Sequence, residues 1–404
     1  MKILLVNTRY FISGGPERYM FNVMQLLESK GHTVIPFSVQ HKQNKASEYS
    51  RYWLSPLDAG IKNPIKMIGR IFYSFEAKSK LERLIKETRP DLIYCLQYQM
   101  RMSCSVISAA KKYRIPFVQR ISEYAQICPG HFLYNPQINQ ICEKCSKGSL
   151  CNAVKDNCAG SRMLSFVKAA SVAFQQIYGV RKKIDAFVFT SAFTRSKFLE
   201  AKYLQNKSFA VPTFFNAVKT IEQITYEPFA LFFGRLDPDK GVDVLVDAFL
   251  KNKKPLKIIG FSYHTQYEQK IKKMIVGKQH QIEFLGKMNF EQIQEILAKC
   301  LFTIVPSNWY ENLPNSLLES YALKKCVVAT GIGSLAEAVI DNETGLHFKY
   351  RDASDLISKA DYLFEHPEEA KHMGENGYRL IETKYSAEEH YKGLMGVFEG
   401  VVKC

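Results

Sequence analysis

Long apolar segments are missing from this sequence of 404 residues. No stretch approaches the roughly 18 apolar residues that a membrane-spanning helix needs. The first apolar run, Ile3–Val6, is also far shorter than the roughly 7–15 apolar residues of a secretion signal, and polar residues follow it at once. We therefore expect Ile3–Val6 to be a buried strand, and the protein to be cytoplasmic and either soluble or peripheral on the inner face of a membrane.

The glycine fingerprint of dinucleotide-binding proteins is also missing. Residues 13–17 read Ser-Gly-Gly-Pro-Glu, which is not G-x-G-x-x-G, and no acidic residue ends the second predicted strand near Phe37. These absences disfavour an NAD-dependent oxidoreductase or epimerase. Gly14 and Gly15 stand where a helix is expected to begin, so they suit either an ordinary tight turn or a backbone that approaches a ligand phosphate.

Acidic residues are scarce in the first half of the chain only. Residues 1–210 contain 32 Lys and Arg against 13 Asp and Glu, whereas residues 211–404 contain 23 against 26. The formal net charge of +16 therefore comes entirely from the first half. Such a basic half suits nucleic acid, an anionic membrane or an acidic substrate, and the charge alone does not choose among them.

One basic segment, residues 61–89, indicates how the first half could meet a membrane. Its cations alternate with apolar residues in a pattern that suits a helix on anionic lipid, or equally an ordinary helix with one solvated face. The cations that alternate with apolar residues are Lys62, Lys66, Arg70, Lys78, Lys80, Arg83 and Lys86.

Apolar runs of strand length alternate with helical patterns along the chain, which predicts βαβ units and parallel sheets. The strands predicted in the first half are Ile3–Val6, Thr33–Phe37, Leu92–Cys95, Phe117–Ile121, Ala186–Thr190 and Ser208–Val211. After Thr213 the pattern begins again, with Phe229–Phe233, Leu256–Ile259, Ile282–Leu285, Leu301–Val305 and Val327–Ala329. Helices are predicted from Gly14 to Ser29, Gly241 to Leu250, Phe290 to Lys299, Leu313 to Leu323 and Ser386 to Val402. Two α/β domains of roughly 200 residues each follow from this restart.

A predicted strand in the second half leads into a basic turn. Gly234 follows the strand, and Arg235 and Lys240 lie five residues apart before the next helix. Two cations at the carboxyl end of a strand suit a diphosphate. Asp237 and Asp239 lie between them and suit either a helix cap, which the basic surroundings favour, or a metal-binding acidic pair.

Two glutamates, Glu311 and Glu319, follow a later strand at E-x7-E spacing. Pro314 is expected in the first turn of a helix, where the first N–H groups lack partners within the helix. The N–H groups expected to point toward Glu311 belong to Asn315, Ser316 and Leu317. This pattern predicts a phosphate cradle beside Glu311, with Glu319 placed for a ribose diol. The alternative is an ordinary helix whose two glutamates are solvated or paired.

In this order and spacing, the motifs resemble those of a retaining glycosyltransferase of family 4, over nearly the whole chain. The resemblance is carried by Gly14-Gly15-Pro16-Glu17, Gly234-Arg235-Leu236 with Lys240-Gly241, Glu311 with Glu319, Gly331-Ile332-Gly333-Ser334 with Glu337, and Thr344-Gly345-Leu346. It implies the α/β fold called GT-B, in which two Rossmann-like domains face each other across a cleft. Residues 1–213 would form the acceptor-side domain, residues 214–385 the donor domain, and residues 386–404 a helix that crosses back.

The resemblance also implies a role for each residue of the donor site. Arg235 and Lys240 would neutralise the donor diphosphate as the glycosidic bond breaks. Glu311 would hold hydroxyls of the transferred sugar and Glu319 the ribose, and no metal or other cofactor would be required for catalysis. The other donor-binding residues would be Gly14, Gly15, Gly234, Lys287, Met288, Leu313, Pro314, Asn315 and Ser316.

One position departs from the family pattern. Members often carry a His-Asp pair after the fourth strand of the first domain, but here Ser122 stands in the place of the His and Glu123 in that of the Asp. Glu123 is therefore the candidate for the polar catalytic group beside the reacting hydroxyl.

Five of the ten cysteines lie within residues 128–158, in a loop-like insertion rich in Asn, Ser and Lys. A C-x-x-C pair followed by two more thiols suits zinc or an iron–sulfur cluster, but the spacing is irregular and no histidine joins it. The candidate ligands are Cys142, Cys145, Cys151 and Cys158. The resemblance implies a structural clip, since some family members have a similar cysteine-rich insertion. Free thiols are the alternative to a metal, and disulfides are expected less than either because the sequence has no secretion signal.

The sequence thus predicts a metal-independent hexosyltransferase that moves a sugar from a nucleotide-sugar donor to a glycan or lipid-linked acceptor in surface polysaccharide biosynthesis. An anionic membrane surface is a further expected partner, and nucleic acid is not. Because Ser122 stands in the place of the usual His, one alternative stays open, a non-catalytic GT-B protein that binds glycan or a partner glycosyltransferase.

Overall fold

A computed structural model of the chain describes residues 1–56, 64–215, 224–262 and 265–403. The chain forms two compact units. The first comprises residues 1–132, 143–213 and those from His390 onward, and the second comprises residues 133–142 and 214–389. The division after Thr213 lies where the sequence pattern restarts. The sequence did not predict that the short segment 133–142 would group with the second unit.

The strands of the two units are short and mostly buried. They are β1 (Lys2–Val6), β2 (Thr33–Phe37), β3 (Leu92–Cys95), β4 (Phe117–Ile121), β5 (Tyr134–Asn135), β6 (Gln140–Ile141), β7 (Ala186–Phe189), β8 (Ser208–Ala210), β9 (Ala230–Phe233), β10 (Leu256–Ile259), β11 (Ile282–Gly286), β12 (Phe302–Val305), β13 (Val327–Thr330) and β14 (Gly345–Phe348).

The α-helices lie mainly between successive strands. They are α1 (Gly15–Ser29), α2 (Pro64–Ile71), α3 (Phe75–Thr88), α4 (Ser105–Lys112), α5 (Lys144–Lys147), α6 (Cys151–Lys155), α7 (Arg162–Tyr178), α8 (Val180–Lys183), α9 (Ala192–Glu200), α10 (Val242–Asn252), α11 (Thr265–Lys273), α12 (Phe290–Leu297), α13 (Asn315–Ala322), α14 (Gly333–Ala338), α15 (Ala353–Glu365), α16 (Pro367–Glu382) and α17 (Ala387–Val402). None of these helices, within the described residues, is long and apolar enough to cross a bilayer.

The first unit is built on a parallel sheet with strand order β2-β1-β3-β4-β7-β8. Residues of β1 are buried from Ile3 to Val6 because the strand lies between two neighbours and is covered on both faces. Helix α17 is fixed to this unit by His390. The ring bonds the Tyr19 hydroxyl through Nε2 at 3.0 Å and the Pro212 carbonyl through Nδ1 at 2.6 Å.

The second unit repeats the plan with the parallel order β11-β10-β9-β12-β13-β14. Strands β9 and β12 pair at the centre, and their carboxyl ends lead to residues 234 and 306. Parallel strands end at the same edge of a sheet, so both following loops start from one edge. The fold therefore places the two strongest sequence motifs of this unit side by side.

The structure confirms the predicted α/β class and each predicted strand to within two residues at either end. Three strands were missed. Strand β14 begins at Gly345, in a segment that carried a motif but had no apolar alternation long enough to predict a strand. Strands β5 and β6 have two residues each and form an antiparallel hairpin inside the cysteine-rich insertion.

Candidate functional site

Arg235 follows β9 and is held by two carboxylates of the same turn. Its guanidinium donates to Asp237 and also to Asp239, the latter at 2.9 Å. Burial raises the pKa of the Asp239 carboxyl, and the nearby Lys240 and Arg235 cations offset only part of that effect. Asp237 makes no side-chain cap for the helical turn that follows it, so the predicted capping role was wrong and ion pairing takes its place. We call residues 234–241 the basic turn.

Lys240, at the end of the basic turn, contacts the first glutamate of the later motif. Its ammonium group donates to Glu311 Oε1 at 2.6 Å, and the Ser307 hydroxyl donates to the same oxygen at 2.6 Å. Glu311 is buried, and Lys240 also lies 5.3 Å from the centre of the Trp309 ring. The structure thus brings together a cation and a carboxylate that are 71 positions apart in sequence. We call residues 306–314 the glutamate loop.

The backbones of these two loops are in direct contact. Gly241 has φ +67°, and a Cβ placed on it would lie 1.9 Å from the Pro306 carbonyl oxygen. Asn308 donates from its backbone to Asp239 O at 2.7 Å and from its side chain to Pro238 O at 3.2 Å. Only glycine fits at position 241, because both the left-handed backbone and the missing side chain are required.

The glutamate loop ends in strained backbone before α13. Leu313 has φ +81°, which is rare for a residue with a side chain and is often found at functional sites. Pro314 is the cap residue of α13 and not part of its first turn, and Leu317 N–H bonds Pro314 O at 3.2 Å. The Leu317 N–H is therefore not available to a phosphate, and the predicted cradle keeps only the N–H groups of Asn315 and Ser316. Asn315 and Ser316 begin the helix, where N–H groups have no acceptor within it.

Glu319 lies on α13 and is buried, with 5% of its surface exposed. Its burial excludes the alternative in which both glutamates of the motif are solvated. The described contacts do not join Glu319 to Lys240 or Glu311, so its role toward a ribose stays a prediction.

A hairpin from the cysteine-rich insertion braces the glutamate loop. The Ile141 N–H donates to the Tyr350 hydroxyl at 3.2 Å, and that hydroxyl donates to Asn308 O at 3.2 Å. Arg351 Nη1 donates to Asn139 O at 2.7 Å. Sequence reasoning missed this brace, because two-residue strands have no periodic pattern and Tyr350 belongs to no recognised motif.

The residues expected to edge the base follow β11. Gly286 has φ +75°, and the Lys287 ammonium group lies 4.7 Å from the centre of the Phe261 ring. Met288 packs against an apolar cluster of the second unit. Gly234, at the start of the basic turn, is approached closely by Gly260, on which a Cβ would lie 1.9 Å from Gly234 O.

In the first unit, Gly14 caps α1 with extended backbone and Gly15 is the first helical residue. Glu17, in the first turn, is buried and accepts from the Ser13 hydroxyl at 2.9 Å. Ser13 in turn accepts from Arg9 at 2.9 Å. A Cβ on Gly14 would meet no atom closer than 3.9 Å, so packing within this unit does not by itself require glycine there.

Glu123, the candidate for the polar catalytic group, has a histidine neighbour that the sequence did not predict. His131 Nδ1 lies 3.6 Å from Glu123 Oε2. Burial raises the pKa of the Glu123 carboxyl, but its interactions with His131, Gln97 and Lys168 together outweigh that effect, so the pKa lies below its ordinary value. An imidazole thus lies beside the carboxylate although Ser122 replaces the usual histidine. The sequence could not predict this contact, because His131 follows Glu123 eight positions later, after a loop.

The cysteine-rich insertion does not form the predicted metal site. Among the residues that the structure describes, no three side chains of His, Cys, Asp or Glu are grouped to hold a metal ion. Cys142, Cys145, Cys151 and Cys158 therefore do not fit zinc or an iron–sulfur cluster in this arrangement. C-x-x-C spacing alone was insufficient, since ligation also needs the other two thiols within a few ångströms.

The basic segment 61–89 is less available to lipid than its composition indicated. Ile61 and Lys62 lie outside the described residues, and so does the side chain of Lys66. Arg70 is buried and donates to Glu76 at 2.7 Å. The remaining pairs with carboxylates are Lys78 with Glu82 and Lys80 with Glu76. Three of its cations, Arg70, Lys78 and Lys80, are therefore compensated by carboxylates within the protein.

Two family models match the chain, and together they span more than half of it. The model described as "Glycosyl transferases group 1" matches residues 216–380, and "Glycosyltransferase Family 4" matches residues 13–121. An uncharacterized glycosyltransferase of Methanocaldococcus jannaschii is 32% identical over 50% of this chain and 58% of its own. A lipopolysaccharide 1,2-N-acetylglucosaminetransferase of Salmonella typhimurium is 27% identical over a match that covers 39% of this chain and 44% of its own. The chain spans about half the length of the curated relatives it matches.

Solved structures cover the chain completely. A glycosyltransferase from Rickettsia africae has a TM-score of 0.71 at 22% identity and covers 100% of this chain and 98% of its own. HepE of Anabaena, solved with UDP-glucose, has a TM-score of 0.70 at 15% identity with both chains fully covered. At these identities the likeness to solved structures shows only the fold. The family membership is shown by the two family models. The chain belongs to the family-4-like glycosyltransferases and has the GT-B fold.

Proposed function

We propose that this chain is a retaining hexosyltransferase that uses a nucleotide-sugar donor. The observation that carries the proposal is the joined basic turn and glutamate loop, in which Lys240 contacts Glu311 and Arg235 contacts Asp239. A diphosphate needs cations held in fixed positions, and a sugar needs a carboxylate that accepts from its hydroxyls. Both kinds of group meet here at the carboxyl edge of one sheet. HepE, bound to UDP-glucose in its solved structure, shares the fold.

In the proposed mechanism, the donor exchanges partners with these pairs. The donor diphosphate accepts from Lys240 and Arg235, and this releases Glu311 to accept hydroxyl hydrogen bonds from the sugar. As the glycosidic bond breaks, negative charge grows on the departing nucleotide. Fixed cations stabilise that charge without reorganising at the moment of reaction, which lowers the barrier. Two side-chain cations already balance the two charges of a diphosphate, and we therefore propose that the transfer needs no metal ion.

The acceptor is proposed from chemistry and from one relative. Glu123 beside His131 supplies a polar pair in the first unit that suits the hydroxyl of an acceptor. The Salmonella relative acts, by its name, on lipopolysaccharide. We therefore place the transfer on a glycan or lipid-linked acceptor in surface polysaccharide biosynthesis, with the protein in the cytoplasm and peripheral on the inner face of the membrane.

Turnover of radiolabelled nucleotide sugars tests the transferase proposal, after a thermal-shift screen has selected the donor. Lys240→Ala should lower transfer by about 100-fold or more, because one fixed cation is lost at the departing diphosphate. Lys251→Ala is the matched control, since Lys251 is half exposed on α10 and pairs only with the surface residue Asp247. Its activity should be that of the wild type.

Two outcomes would overturn parts of the proposal. Undiminished transfer by the Lys240→Ala protein would remove the phosphate role of the basic turn. A wild-type protein that neither binds nor turns over any common nucleotide sugar would favour the alternative suggested by Ser122, a non-catalytic protein that binds glycan or a partner glycosyltransferase.

A further inference from the structure

Helix α7 has large apolar side chains on its outer side. Its buried residues are Ser165, Ala169, Ser171, Val172 and Gln175, whereas Met163 is 80% exposed and Ile177 is 86% exposed. A helix that packs on a soluble core ordinarily has the reverse arrangement. Large apolar side chains in water contribute nothing to folding, so their exposure calls for a partner surface.

Most of the exposed apolar residues form one continuous stripe, and Leu164 lies outside it near the start of the helix. At about 100° per residue they fall within roughly one third of the helix circumference. We call this stripe the outer face of α7, and it consists of Met163, Phe166, Val167, Ala170, Ala173, Phe174 and Ile177. Phe166 is 62% exposed, and the other members are partly or strongly exposed.

Aromatic residues from the segment before α3 extend this surface sideways. Phe72 lies 5.8 Å from Phe174, ring centre to ring centre, and Tyr73 lies 6.3 Å from Tyr178. Tyr73 is also 5.3 Å from Phe75, whose side chain is 78% exposed. The apolar surface therefore reaches beyond one helix and offers aromatic rings at its margin.

The exposed charges on α7 and directly after it are cations, whereas Lys168, which is partly buried, interacts with Glu123. Residues 157–184 contain five Lys or Arg and no Asp or Glu. Arg162 and Lys182 are exposed at the two ends of the stripe, and the Lys183 ammonium group lies 3.5 Å from the centre of the Tyr178 ring. An apolar helix face with cations at its ends matches an anionic bilayer, in which acyl chains lie next to negative headgroups.

We propose that the outer face of α7, with Phe72, Tyr73 and Phe75, is the surface by which this protein lies on a bilayer that contains anionic lipid. The inference names the surface for the peripheral-membrane part of the proposed function and is independent of the transfer reaction. It places the contact on α7 and on aromatic residues of the segment 61–89, and not on the cations of that segment, of which Arg70, Lys78 and Lys80 are paired with glutamates.

Vesicle sedimentation of the full chain tests this surface. Wild type should pellet with vesicles of phosphatidylcholine and phosphatidylglycerol, should pellet far less with phosphatidylcholine alone, and should be released by salt. Ile177→Asp should weaken partitioning about tenfold or more, since an apolar contact is lost and a repelled charge is gained. Val276→Asp is the matched control, because Val276 is 74% exposed in the second unit and receives the same charge. Donor hydrolysis without vesicles should be unchanged in both variants.

Three results would overturn the inference. Equal pelleting on neutral and anionic vesicles would show that anionic lipid is not recognised. Equal partitioning of Ile177→Asp and Val276→Asp would show that the outer face of α7 is not the surface that contacts the bilayer. A wild-type dimer in solution that Ile177→Asp converts to monomer would make a second copy the occupant. As an independent measurement, Phe166→Trp should show blue-shifted fluorescence on anionic vesicles, because the two native tryptophans, Trp53 and Trp309, are already buried. An inactive donor site would leave all these readings as they are.

Discussion

The basic turn and the residues in and around helix α7 hold their cations in different ways. In the basic turn, Arg235 and Lys240 are each within hydrogen-bond distance of a carboxylate. Around α7, five cations share residues 157–184 with no acidic residue at all. Paired cations inside a protein are held in place, and their partners can be exchanged for a small anion of defined shape. Exposed cations at the ends of an apolar surface, such as Arg162 and Lys182, suit an extended anionic surface instead.

The comparison teaches that net charge says little until the partners of each charge are known. The segment 61–89 is as rich in lysine and arginine as α7 and its flanks, yet Arg70 is buried against Glu76. Substitutions that disturb the paired loops of the second unit should therefore have effects of a different size from a substitution at a buried titratable group of the first unit.

The largest of these effects is expected at Gly241, where the basic turn touches the glutamate loop. Gly241→Ala places a Cβ 1.9 Å from Pro306 O. We expect a loss of about 2–4 kcal/mol in stability from strain and displaced backbone, together with weaker donor binding. Gly277→Ala is the control, because Gly277 has φ +72° but no atom within 4 Å of the added Cβ. That variant should lose only about 1–2 kcal/mol.

Thermal unfolding with and without the donor nucleotide measures both effects of these glycine variants. Equal losses at Gly241 and Gly277 would show that the contact between the two loops contributes nothing beyond backbone conformation.

A smaller effect is expected at His390, whose ring is buried in the first unit. Burial, together with the charge of Arg120, lowers the pKa of His390 to about 3. The unfolded chain, with a pKa near about 6.5 for this group, takes up the proton first as the pH falls. Stability from this residue is therefore fully present above about pH 6.5 and is lost progressively toward pH 3.

Unfolding by denaturant at pH 7 and at pH 5 measures this dependence. His390 should account for a loss of up to about 2 kcal/mol between these values. His390→Gln should remove that part of the pH dependence, although it also lowers stability at pH 7 through the lost bonds to Tyr19 and Pro212. His372→Gln, at an exposed position, should leave the dependence unchanged. An unchanged pH slope in the His390 variant would contradict the assignment.

The smallest effect is expected at Tyr350, which braces the glutamate loop from outside. Tyr350→Phe removes the hydroxyl that donates to Asn308 O at 3.2 Å, a hydrogen bond worth about 1 kcal/mol. We expect the KM for the donor to rise about threefold to fivefold with little change in kcat, because the loop is less well placed before binding. Tyr362→Phe is the control, since Tyr362 is exposed and bonds only Glu369 on the surface. A fall in kcat alone would assign Tyr350 a different role.

Much of the fold followed from local pattern. Strand β1 could be predicted because Ile3–Val6 is a short apolar run that ends in polar residues, and β13 for a similar reason. The hairpin of β5 and β6 could not, because two-residue strands are stabilised by what they pack against. Its Ile141 and Asn139 are fixed by Tyr350 and Arg351, more than 200 positions away.

The candidate site was predicted in part. The cations and glutamates were found because their residue types and spacing are tied to strand ends. Their actual partners, Asp239 for Arg235 and Ser307 for Glu311, depend on how two loops fold against each other. His131 beside Glu123 and the dispersed cysteines were missed for the same reason, since spacing along the chain does not measure distance in space.

The sequence by itself determined the α/β architecture, the repeat of that architecture after Thr213 and the residue types at the strand ends, because backbone and hydrophobic periodicity act locally. Only the tertiary structure decided which charges are paired and which face of α7 is turned outward. A stripe of apolar residues on a helix is ordinarily its buried face, but in α7 Ser165 and Gln175 are buried on the opposite side.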